Sequence, residues 1–446
     1  MPPLTRTKDR NHRRNAGPWT RGEKWLLVSA VIAIAASVVI WTWIRSLDAM
    51  PVCVVPRPQT IYPNAYSYFV AASGRAPVQF GTRITKSTYA PPMDPHPETW
   101  LTRAPKSEDM QAVAGAPAAN AAGLALLRNG LTLPCLAPQM RSFNYLRPEL
   151  ARLRGLARAV RATAEVQAAQ GRDADAVATS LDGVSMGVEM SRGSCDITIL
   201  VGAAICAINR RTIWHIADRL DAATARSAAL RLATLELHQE PITKILTNQK
   251  WFTQAALMEI FQQADWRKQL HNASGMESGE ESNYNNQLMF VGKRDLLDAY
   301  TRQADAAIAA ASGSYRDMRL SEDIAQPHIL KAFTSETEAV WFKWCQGAAD
   351  NRLLATTLAL KAYHREHGSY PSSLQQLVPA YLPAVLEDPF SGVSLHYKRD
   401  HQSYLLYSVG PDKQDDGGKP ISTISRTRNY YVERESRGDM VAGLNE

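Results

Sequence analysis

Residues 25–44 read WLLVSAVIAIAASVVIWTWI, and this stretch decides how the rest of the chain is disposed. It contains no charged side chain. An α-helix of this length spans about 30 Å, which is the thickness of the hydrocarbon core of a bilayer. Trp25 stands at one end and Trp41 and Trp43 at the other, as in the aromatic belts of membrane helices. The stretch therefore predicts a single transmembrane anchor.

The charge of the chain is concentrated beside this anchor. The formal net charge is +7, and residues 1–24 hold seven basic and two acidic side chains, a net +5. A nucleic-acid-binding domain would carry its basic patch on the folded body, so we expect no nucleic-acid partner. The positive-inside rule places the basic tail in the cytoplasm. The bulk of the chain is then extracytoplasmic, held by residues 25–44 at the bacterial inner (cytoplasmic) membrane.

Other interpretations of the apolar stretch fit less well than an uncleaved signal anchor. A cleaved signal peptide has an apolar region of about 7–15 residues, and residues 47–49 (LDA) make a poor cleavage site. A prepilin site needs an apolar residue after its glycine, and Gly22 is followed by Glu23. A buried core helix is seldom so uniformly apolar. The next apolar run, residues 197–208, is short enough to predict a buried helix rather than a second span.

Composition and periodicity divide the chain into five segments. They are a basic cytoplasmic tail (1–24), the anchor (25–44), a stalk with a Pro-rich irregular part (45–106), an α-helical domain (107–333) and a C-terminal region (334–446). The polar stretch at 272–286 predicts an exposed loop inside the helical domain.

Apolar residues recur at helical spacing through most of the extracytoplasmic part. This pattern predicts helices at 65–73, 107–114, 119–128, 148–170, 174–191, 196–220, 222–238, 241–270, 293–311 and 334–366. Asn64 is placed to cap the first of them, and Gly171 to close the helix that Pro148 opens. Trp341 and Trp344 predict either core packing or a contact between the long last helix and the helical domain.

After residue 368 the predicted secondary structure changes from helices to strands and turns. Segments 394–398 and 404–408 alternate in the manner of a β-hairpin, with Asp400 and His401 at the turn, and residues 429–433 predict one more strand. Between them lies GPDKQDDGG at residues 410–418, an acidic and Gly-rich loop.

Three short motifs follow the long last helix in a fixed order: GSYP at 368–371, DPF at 388–390 and SVGPD at 408–412. This order resembles the C-terminal half of the major pseudopilin of type II secretion, and the resemblance covers about residues 345–440. In that family a spine helix ends at a Gly-x-Tyr-Pro turn, and an Asp-Pro-aromatic turn leads into a small sheet. The resemblance therefore implies a small α+β domain with a short antiparallel sheet.

The same tail is similar to that of uncharacterised, membrane-anchored bacterial envelope proteins, which have a long helical region between anchor and tail. NAY at 64–66 and QGR at 170–172 are also similar to that group. A pseudopilin needs a prepilin cleavage site and a spine helix continuous with its anchor. Here about 290 residues separate the two helices, so we do not expect the chain to polymerise as a pilus subunit.

The acidic loop is the best chemical candidate in the sequence. Asp412, Asp415 and Asp416 place three carboxylates within five residues, with glycines that let the chain bend. Ca²⁺ takes six to eight oxygen ligands from such flexible loops. The pseudopilin resemblance implies calcium binding, most directly by Asp412 and Asp416. The alternative is a solvated turn in which Asp side chains accept hydrogen bonds from local amides.

Three other features of the sequence predict structural roles rather than catalysis or metal binding. Residues 183–187 (GVSMG) match the nucleophile-elbow pattern, but they fall inside a predicted helix, where small residues permit close packing. His364 and His367 lack the His-Glu-x-x-His spacing of zinc proteases and predict a solvated helix end. The five cysteines are scattered and are expected to be free and buried.

These observations predict a mostly α fold: one transmembrane helix, a domain of helical hairpins, and a small C-terminal domain with a short antiparallel sheet. The expected function is that of a non-enzymatic, membrane-anchored envelope protein whose helical domain binds or scaffolds a protein partner in the cell envelope. An accessory component of a type II secretion or type IV pilus-like system is the alternative. An envelope hydrolase is the third possibility, because polar residues can converge in space without a sequence signal.

Overall fold

The protein is mostly helical and carries a small antiparallel sheet near its C-terminus, as the sequence predicts; the sheet has three strands. The computed structural model describes residues 20–80, 105–144, 147–274, 291–313, 315, 330–422, 424–425, 428–429 and 432–445. Most of the basic tail, most of the Pro-rich part of the stalk segment and much of the polar stretch at 272–286 lie outside these residues.

Helices occupy most of the chain before the sheet. In chain order they are α1 (Arg21–Leu47), α2 (Ala65–Ser73), α3 (Ser107–Ala112), α4 (Ala116–Ala119), α5 (Ala121–Leu131), α6 (Pro148–Ala169), α7 (Asp173–Glu189), α8 (Asp196–Ile216), α9 (Ala222–Leu237), α10 (Ile242–Phe261), α11 (Trp266–Ser274), α12 (Lys293–Ala310) and α13 (Leu330–His367).

Helix α1 is the predicted anchor, and its side chains are exposed almost to its end. The most apolar 18 residues of its segment Lys24–Leu47 have a mean hydropathy of 2.3, and none of these 18 is buried against other described residues. The hydroxyls of Ser29 and Ser37 donate to the carbonyls of Trp25 and Ala33, four residues back, at 2.9 and 2.8 Å. Even the polar side chains are therefore satisfied within the helix, as a helix surrounded by lipid requires.

A second segment, Ile197–Ile216 in α8, is also long and apolar enough to cross a membrane by composition, with a mean hydropathy of 1.3. In contrast to α1, 61% of its most apolar 18 residues are buried inside the protein. Helix α8 packs against α6, α7 and α13. Neighbouring helices therefore occupy the space that lipid would need around this segment, which agrees with the predicted buried helix.

Several predicted helix ends are confirmed. The side chain of Asn64 accepts a hydrogen bond from the backbone N–H of Tyr66 and caps α2. Gly171 adopts φ +73° after α6, where the N–H of Arg172 donates to the carbonyl of Gln167 at 2.9 Å. The left-handed residue and this bond back into the last turn close α6 and return the chain antiparallel into α7.

The single helix predicted at 241–270 is wrong, because the structure has two helices, α10 and α11, with a break between them. The carbonyl of Phe261, at the end of α10, accepts a bond of 2.7 Å from Lys293 Nζ. The ring of Trp266, at the start of α11, packs edge-on against Phe261 with centroids 5.4 Å apart. The buried lysine and the aromatic contact therefore hold a break between two helices, although apolar residues continue at helical spacing through this part of the sequence.

Helices α7 and α8 approach closely because glycines face each other across their contact. A Cβ added to Gly187 would lie 2.6 Å from the carbonyl oxygen of Gly202 and 2.5 Å from Cys206 Sγ. A Cβ at Gly202 would lie 2.5 Å from the carbonyl oxygen of Gly187. Real side-chain atoms do not approach so closely, so this crossing requires the smallest residue on both helices.

Helix α13 connects the helical body to the C-terminal region. The largest hydrophobic core runs without a break from Val177 in α7, through Leu354 in α13, to Leu406 in the sheet. The indole N–H of Trp344 donates to the carbonyl of Glu240 at 3.2 Å. Trp341 is buried and packs edge-on against Tyr315. The two tryptophans therefore serve both of the predicted purposes, core packing and contact with the helical body.

The sheet follows α13 in the predicted order. Strands β1 (His396–Asp400) and β2 (Ser403–Ser408) form an antiparallel hairpin, and His401 takes φ 44° in its turn. The third strand, β5 (Met440–Val441), pairs with β2 and was missed by the sequence pattern. In place of the strand predicted at 429–433, β3 (Ile424–Ser425) pairs with β4 (Arg428–Asn429), and residues 430–431 lie outside the described part.

The α7–α8 contact makes a direct prediction for Gly187→Ala. The added methyl meets backbone and sulfur atoms that cannot move without shifting a helix, so we expect a loss of about 1–3 kcal/mol in unfolding free energy. Gly347→Ala is the matched control, because this glycine also lies within a helix, α13, but has open space around its Cβ position. The control should be neutral or stabilising by up to about 1 kcal/mol. Equal denaturant midpoints for the two variants would contradict the close-contact account.

Candidate functional site

The acidic loop, residues 410–418, leaves β2 and is closed by the segment just before β5. Gly410 adopts φ +70°, and a Cβ there would lie 2.8 Å from the carbonyl oxygen of Gly438. The loop therefore needs glycine at its first position, both for the left-handed backbone and for the close approach. Gly417 and Gly418 are also left-handed and turn the chain out of the loop.

Two of the three predicted ligands, Asp412 and Asp415, accept hydrogen bonds from different partners. Asp412 accepts bonds from the N–H groups of Gln414 and Gly438, at 3.2 and 2.8 Å. Asp415 accepts bonds from the hydroxyl of Tyr407 and from the N–H of Gly417, at 2.8 and 3.0 Å. These bonds hold the pKa of the Asp415 carboxyl below its usual range.

A fourth carboxylate, Asp439, organises the loop from the opposite side. It is fully buried and accepts bonds from the N–H groups of Asp416 and Gly418, at 3.4 and 2.7 Å. Burial raises the pKa of the Asp439 carboxyl to about 6, and the charges of Asp415 and Asp416 add to the effect. Sequence reasoning missed this residue, because it lies more than 20 positions beyond the loop and follows an isolated glycine.

The loop is thus tied together by carboxylate-to-amide bonds, the geometry of a turn stabilised by Asp side chains. Among the described residues, no group of three or more His, Cys, Asp or Glu side chains is arranged to hold a metal ion. Asp412, Asp415 and Asp416, joined by Asp439, supply the hard oxygen donors that calcium prefers. To bind calcium, some of these carboxylates would have to give up their hydrogen bonds from backbone N–H groups and coordinate the ion instead.

The Asp-Pro-aromatic turn positions the acidic loop through one buried carboxylate. Asp388 is fully buried. It accepts bonds from the N–H of Phe390 and the hydroxyl of Ser391 within its own turn. It also accepts bonds from the hydroxyl of Ser408 at 2.7 Å and the N–H of Val409 at 3.0 Å. One side chain therefore joins the turn to the end of β2, where the loop begins.

The two histidines at the end of α13 take part in aromatic stacking. The ring of His364 stacks on Tyr370 with centroids 4.4 Å apart, and that of His367 stacks on Tyr363 at 4.1 Å. The hydroxyl of Tyr381 donates to Glu366. These contacts pin the last turns of α13 to the residues that follow it. The histidines do not converge on a common point, in line with the predicted helix end.

Buried charges connect the helices of the body. Arg210 in α8 is buried and donates to Asp350 and Asn351 of α13, each at 2.8 Å. Asn351 in turn donates to Glu236 of α9 at 2.7 Å. Burial raises the pKa of Glu236, and nearby Arg352 opposes the shift. The network ties three helices together through groups that would be costly to bury alone.

A second buried carboxylate joins α6 to α8. Glu165 accepts a bond from the hydroxyl of Thr212 at 3.0 Å, and its other oxygen lies 3.2 Å from His215 Nδ1. Burial by itself would raise the pKa of Glu165, but these bonds and the charge of Arg161 outweigh it and lower the pKa.

The residues of the nucleophile-elbow pattern lie inside α7, as predicted. Ser185 is buried in the helix and accepts a long bond of 3.4 Å from Arg231. Its flanking glycines face α8, where Gly183 would meet the side chain of Asn209 at 2.3 Å if it carried a Cβ. The glycines therefore serve helix packing.

None of the five cysteines forms a disulfide, and four of them are buried, as expected, whereas Cys53 is half-buried. Burial raises the pKa of Cys135 and of Cys206 to about 12.

The junction between the anchor and the body is a second candidate for function. Leu47, at the end of α1, is buried against Gly292, where an added Cβ would lie 3.2 Å from the Cα of Leu47. Asp48 accepts bonds from the indole N–H of Trp266 at 2.9 Å and from Arg267 at 3.0 Å. Burial opposes ionisation of the Asp48 carboxyl, but these two bonds hold its pKa below the usual range.

Trp266 is the centre of this junction. Its ring is buried, and the guanidinium of Arg267 lies 4.1 Å from the ring centroid. The ammonium of Lys293 lies 5.7 Å from the same ring. Cations near an aromatic face are attracted by its quadrupole. This contact has no local signal in the sequence, because Asp48 and Trp266 are 218 positions apart.

Comparison with known proteins adds no relative: no family model matches the chain, and no curated protein or solved structure is significantly similar to it.

The calcium prediction for the acidic loop is tested by thermal unfolding and calorimetry of the full-length protein after EDTA treatment. We expect Ca²⁺ to bind with a Kd of roughly 10⁻⁴–10⁻³ M, as in extracellular calcium modules, and to raise the melting temperature. The physical reason is relief of the repulsion among Asp415, Asp416 and buried Asp439.

Asp416→Asn should weaken the calcium-dependent rise in melting temperature and leave unfolding in EDTA nearly unchanged, because its carboxylate is exposed. Asp400→Asn, at the exposed end of β1, is the matched control and should retain the full response. Identical melting temperatures in EDTA and in millimolar calcium would contradict calcium binding by the acidic loop.

Proposed function

We propose that this chain is a non-enzymatic, membrane-anchored protein of the bacterial cell envelope. Its helical body is a binding or scaffold module, and its C-terminal region is a small structural cap that resembles a pseudopilin. The junction of Leu47 and Asp48 with α11 and α12 carries the proposal, because it joins the apolar helix directly to the folded body. A protein built in this way presents its body at a fixed position beside the membrane.

The use of buried charge inside the body supports a structural role. Arg210, Asp350 and Glu236 connect α8, α13 and α9, and Glu165 connects α6 with α8. These groups are engaged in holding helices together. A scaffold benefits from such interhelical bonds, because each removed partner would leave a buried charge uncompensated and loosen the body.

A role as an accessory component of a type II secretion or type IV pilus-like system is the second candidate. The observation in its favour is the order of elements: a helix of 38 residues, a turn at 388–390, a hairpin and an acidic loop. Fold-level similarity of this kind does not establish function. This candidate requires physical association with a secretion or pilus component in cross-linked membranes.

The topology is tested in spheroplasts that express the full chain with an epitope at each end. We expect the chain to resist carbonate extraction. Added protease should digest the C-terminal epitope and leave the N-terminal epitope intact, because the basic tail is cytoplasmic. Release by carbonate, or protection of the C-terminal epitope, would contradict the proposal.

The scaffold role is tested on the same membranes by cross-linking and purification under denaturing conditions. We expect a defined envelope protein to be recovered with the wild-type chain. Recovery of a secretion or pilus component would favour the second candidate. Turnover of peptides or glycans by the purified full-length protein would overturn the non-enzymatic proposal.

A further inference from the structure

Helices α6 and α8 run side by side in the same direction. Arg147, just before α6, donates to Thr198 of α8 at 2.8 Å, and Glu165, near the end of α6, accepts a bond from Thr212 of α8 at 3.0 Å. The residues of these two pairs are 51 and 47 positions apart, so a nearly constant offset relates the helices. Each residue of α6 is therefore level with the residue of α8 that follows it by about 49 positions.

Basic side chains line the edge of α6 that borders α8. Arg154, Arg158 and Arg161 precede Glu165 by 11, 7 and 4 positions, which places all four within about 40° on one helix face. Glu165 bonds to Thr212, so this face lies beside α8. Arg161 pairs with Glu165, whereas Arg154 and Arg158 form no ion pair or hydrogen bond with any described residue.

Three arginines close by in the chain are also exposed, but each of them is paired. The side chains of Arg128, Arg219 and Arg231 are 51%, 47% and 40% exposed, and each lies 2.7–2.8 Å from an aspartate oxygen. Arg154 is exposed and Arg158 half-buried, without such a carboxylate. Their positive charges are therefore available to a partner.

Helix α8 presents an apolar stripe on its exposed side. Ile197 and Leu200 are 47% and 40% exposed, and Ala204 is exposed as well. Ile208 is half-buried and packs against the core to which α6 contributes. Ile197, Ala204 and Ile208 lie within about 20° of one line along α8, and Leu200 lies within about 60° of it. The stripe therefore runs along about three turns of the helix.

His215 shows that the apolar stripe borders the arginine edge. It follows Ile197 by 18 positions, which is about five full turns, so it lies on the same line of α8. Its Nδ1 is 3.2 Å from Glu165, on the arginine edge of α6. The offset between the helices places Arg154 and Arg158 level with the middle of the stripe.

The other sides of α8 are occupied by helices of the body. Helix α7 approaches at Gly202 and Cys206, where Gly187 leaves room for the contact. Arg210 bonds to Asp350 of α13 on a further side. The stripe is therefore the side of α8 that the described helices leave open. We call the open stripe and the arginine edge together the α6–α8 surface, formed by Arg154, Arg158, Ile197, Leu200, Ala204 and Ile208.

The shape and charge of this surface fit a helix. From Ile197 to Ile208 the stripe is about 17 Å long, and an amphipathic helix lays its apolar face on such a stripe. Acidic residues beside that face would meet Arg154 and Arg158, and such charge complementarity fixes register and excludes basic partners. Residues 81–104, which follow Phe80 beside Arg161, hold three basic and two acidic side chains and do not supply this negative charge.

We propose that the α6–α8 surface binds an acidic amphipathic helix of a protein partner. The apolar face of that helix packs on Ile197, Leu200 and Ala204. Its acidic side chains accept hydrogen bonds from the guanidinium groups of Arg154 and Arg158. This inference deepens the proposed binding or scaffold function, on which it rests, by naming the site and the kind of partner.

The test measures fluorescence anisotropy of labelled peptides with the full-length protein in phosphatidylcholine nanodiscs, and empty nanodiscs give the background. The first peptide has 18 residues of Leu, Ala and Glu, with Leu on one helix face and Glu along both edges of that face. The second peptide has Lys in place of every Glu. The third has the composition of the first in an order that breaks the apolar face.

We expect the Glu peptide to bind at least ~10-fold more tightly than the other two, because it alone offers both an apolar face and negative charge. The double variant Arg154→Glu, Arg158→Glu should reverse the preference and bind the Lys peptide more tightly. Arg152→Glu with Arg302→Glu is the matched control and should keep the wild-type preference. Both control residues are exposed, and Arg152 lies about 140° around α6 from the arginine edge.

Equal affinity for the three peptides, or an unchanged preference in the double variant, would overturn the α6–α8 surface. Self-association that the double variant abolishes would assign the surface to a second copy and overturn the partner helix. Quenching by a nitroxide phospholipid of a fluorophore at Ala204→Cys, in a Cys53→Ser background, would assign it to the bilayer with the same consequence.

Failure of this inference is distinguishable from failure of the proposed function. A protein that binds none of the peptides can still yield a cross-linked envelope protein, because that experiment detects a partner at any surface. Release by carbonate, or turnover of peptides or glycans, contradicts the proposed function whether or not the Glu peptide binds.

Discussion

The structure depends on one constraint: the apolar helix α1 has nothing of the described body packed along it until Leu47. Lipid is the environment that satisfies such a surface, and even the hydroxyls of Ser29 and Ser37 are bonded within the helix. In the anchoring we propose, the rest of the chain begins at a membrane surface. The bonds of Asp48 to Trp266 and Arg267 turn that starting point into a fixed attachment.

From this attachment the protein continues as one connected core. Helix α12 begins at the junction, and α13 carries the hydrophobic core from the helical body into the sheet. Two kinds of contact hold the helices close. Gly187 and Gly202 let α7 and α8 approach without side chains between them, while Arg210, Asp350 and Glu236 bind α8, α13 and α9 through buried charges. At the far end, Asp388 fixes the acidic loop to the end of β2.

The features that could be predicted from the sequence are those set by local physics. The apolar length of α1, the cap at Asn64, the left-handed turn at Gly171 and the β-hairpin around His401 each depend on a few neighbouring residues. The acidic loop was visible because its carboxylates and glycines are adjacent. The predicted boundary at residue 334 stays a prediction, although the largest core passes through it.

The missed features depend on contacts between distant parts of the chain. The break between α10 and α11 is made by Lys293, which lies 32 positions after Phe261, so the apolar period alone could not reveal it. Asp439 completes the acidic loop only because β5 returns beside β2. The partner of Asp48 is 218 positions away. Pairings of this kind carry no local signal, and they are the ones that position the candidate sites.

The central claim is that the anchor and the body form one unit at the membrane. It is tested most directly by the spin–spin distance distribution between labels at Ser46, in the last turn of α1, and Ala306, on the exposed side of α12, in nanodiscs with Cys53→Ser. The account predicts one narrow distribution that broadens when Asp48→Ala removes the junction bonds. A broad distribution in the protein that retains Asp48 would contradict it.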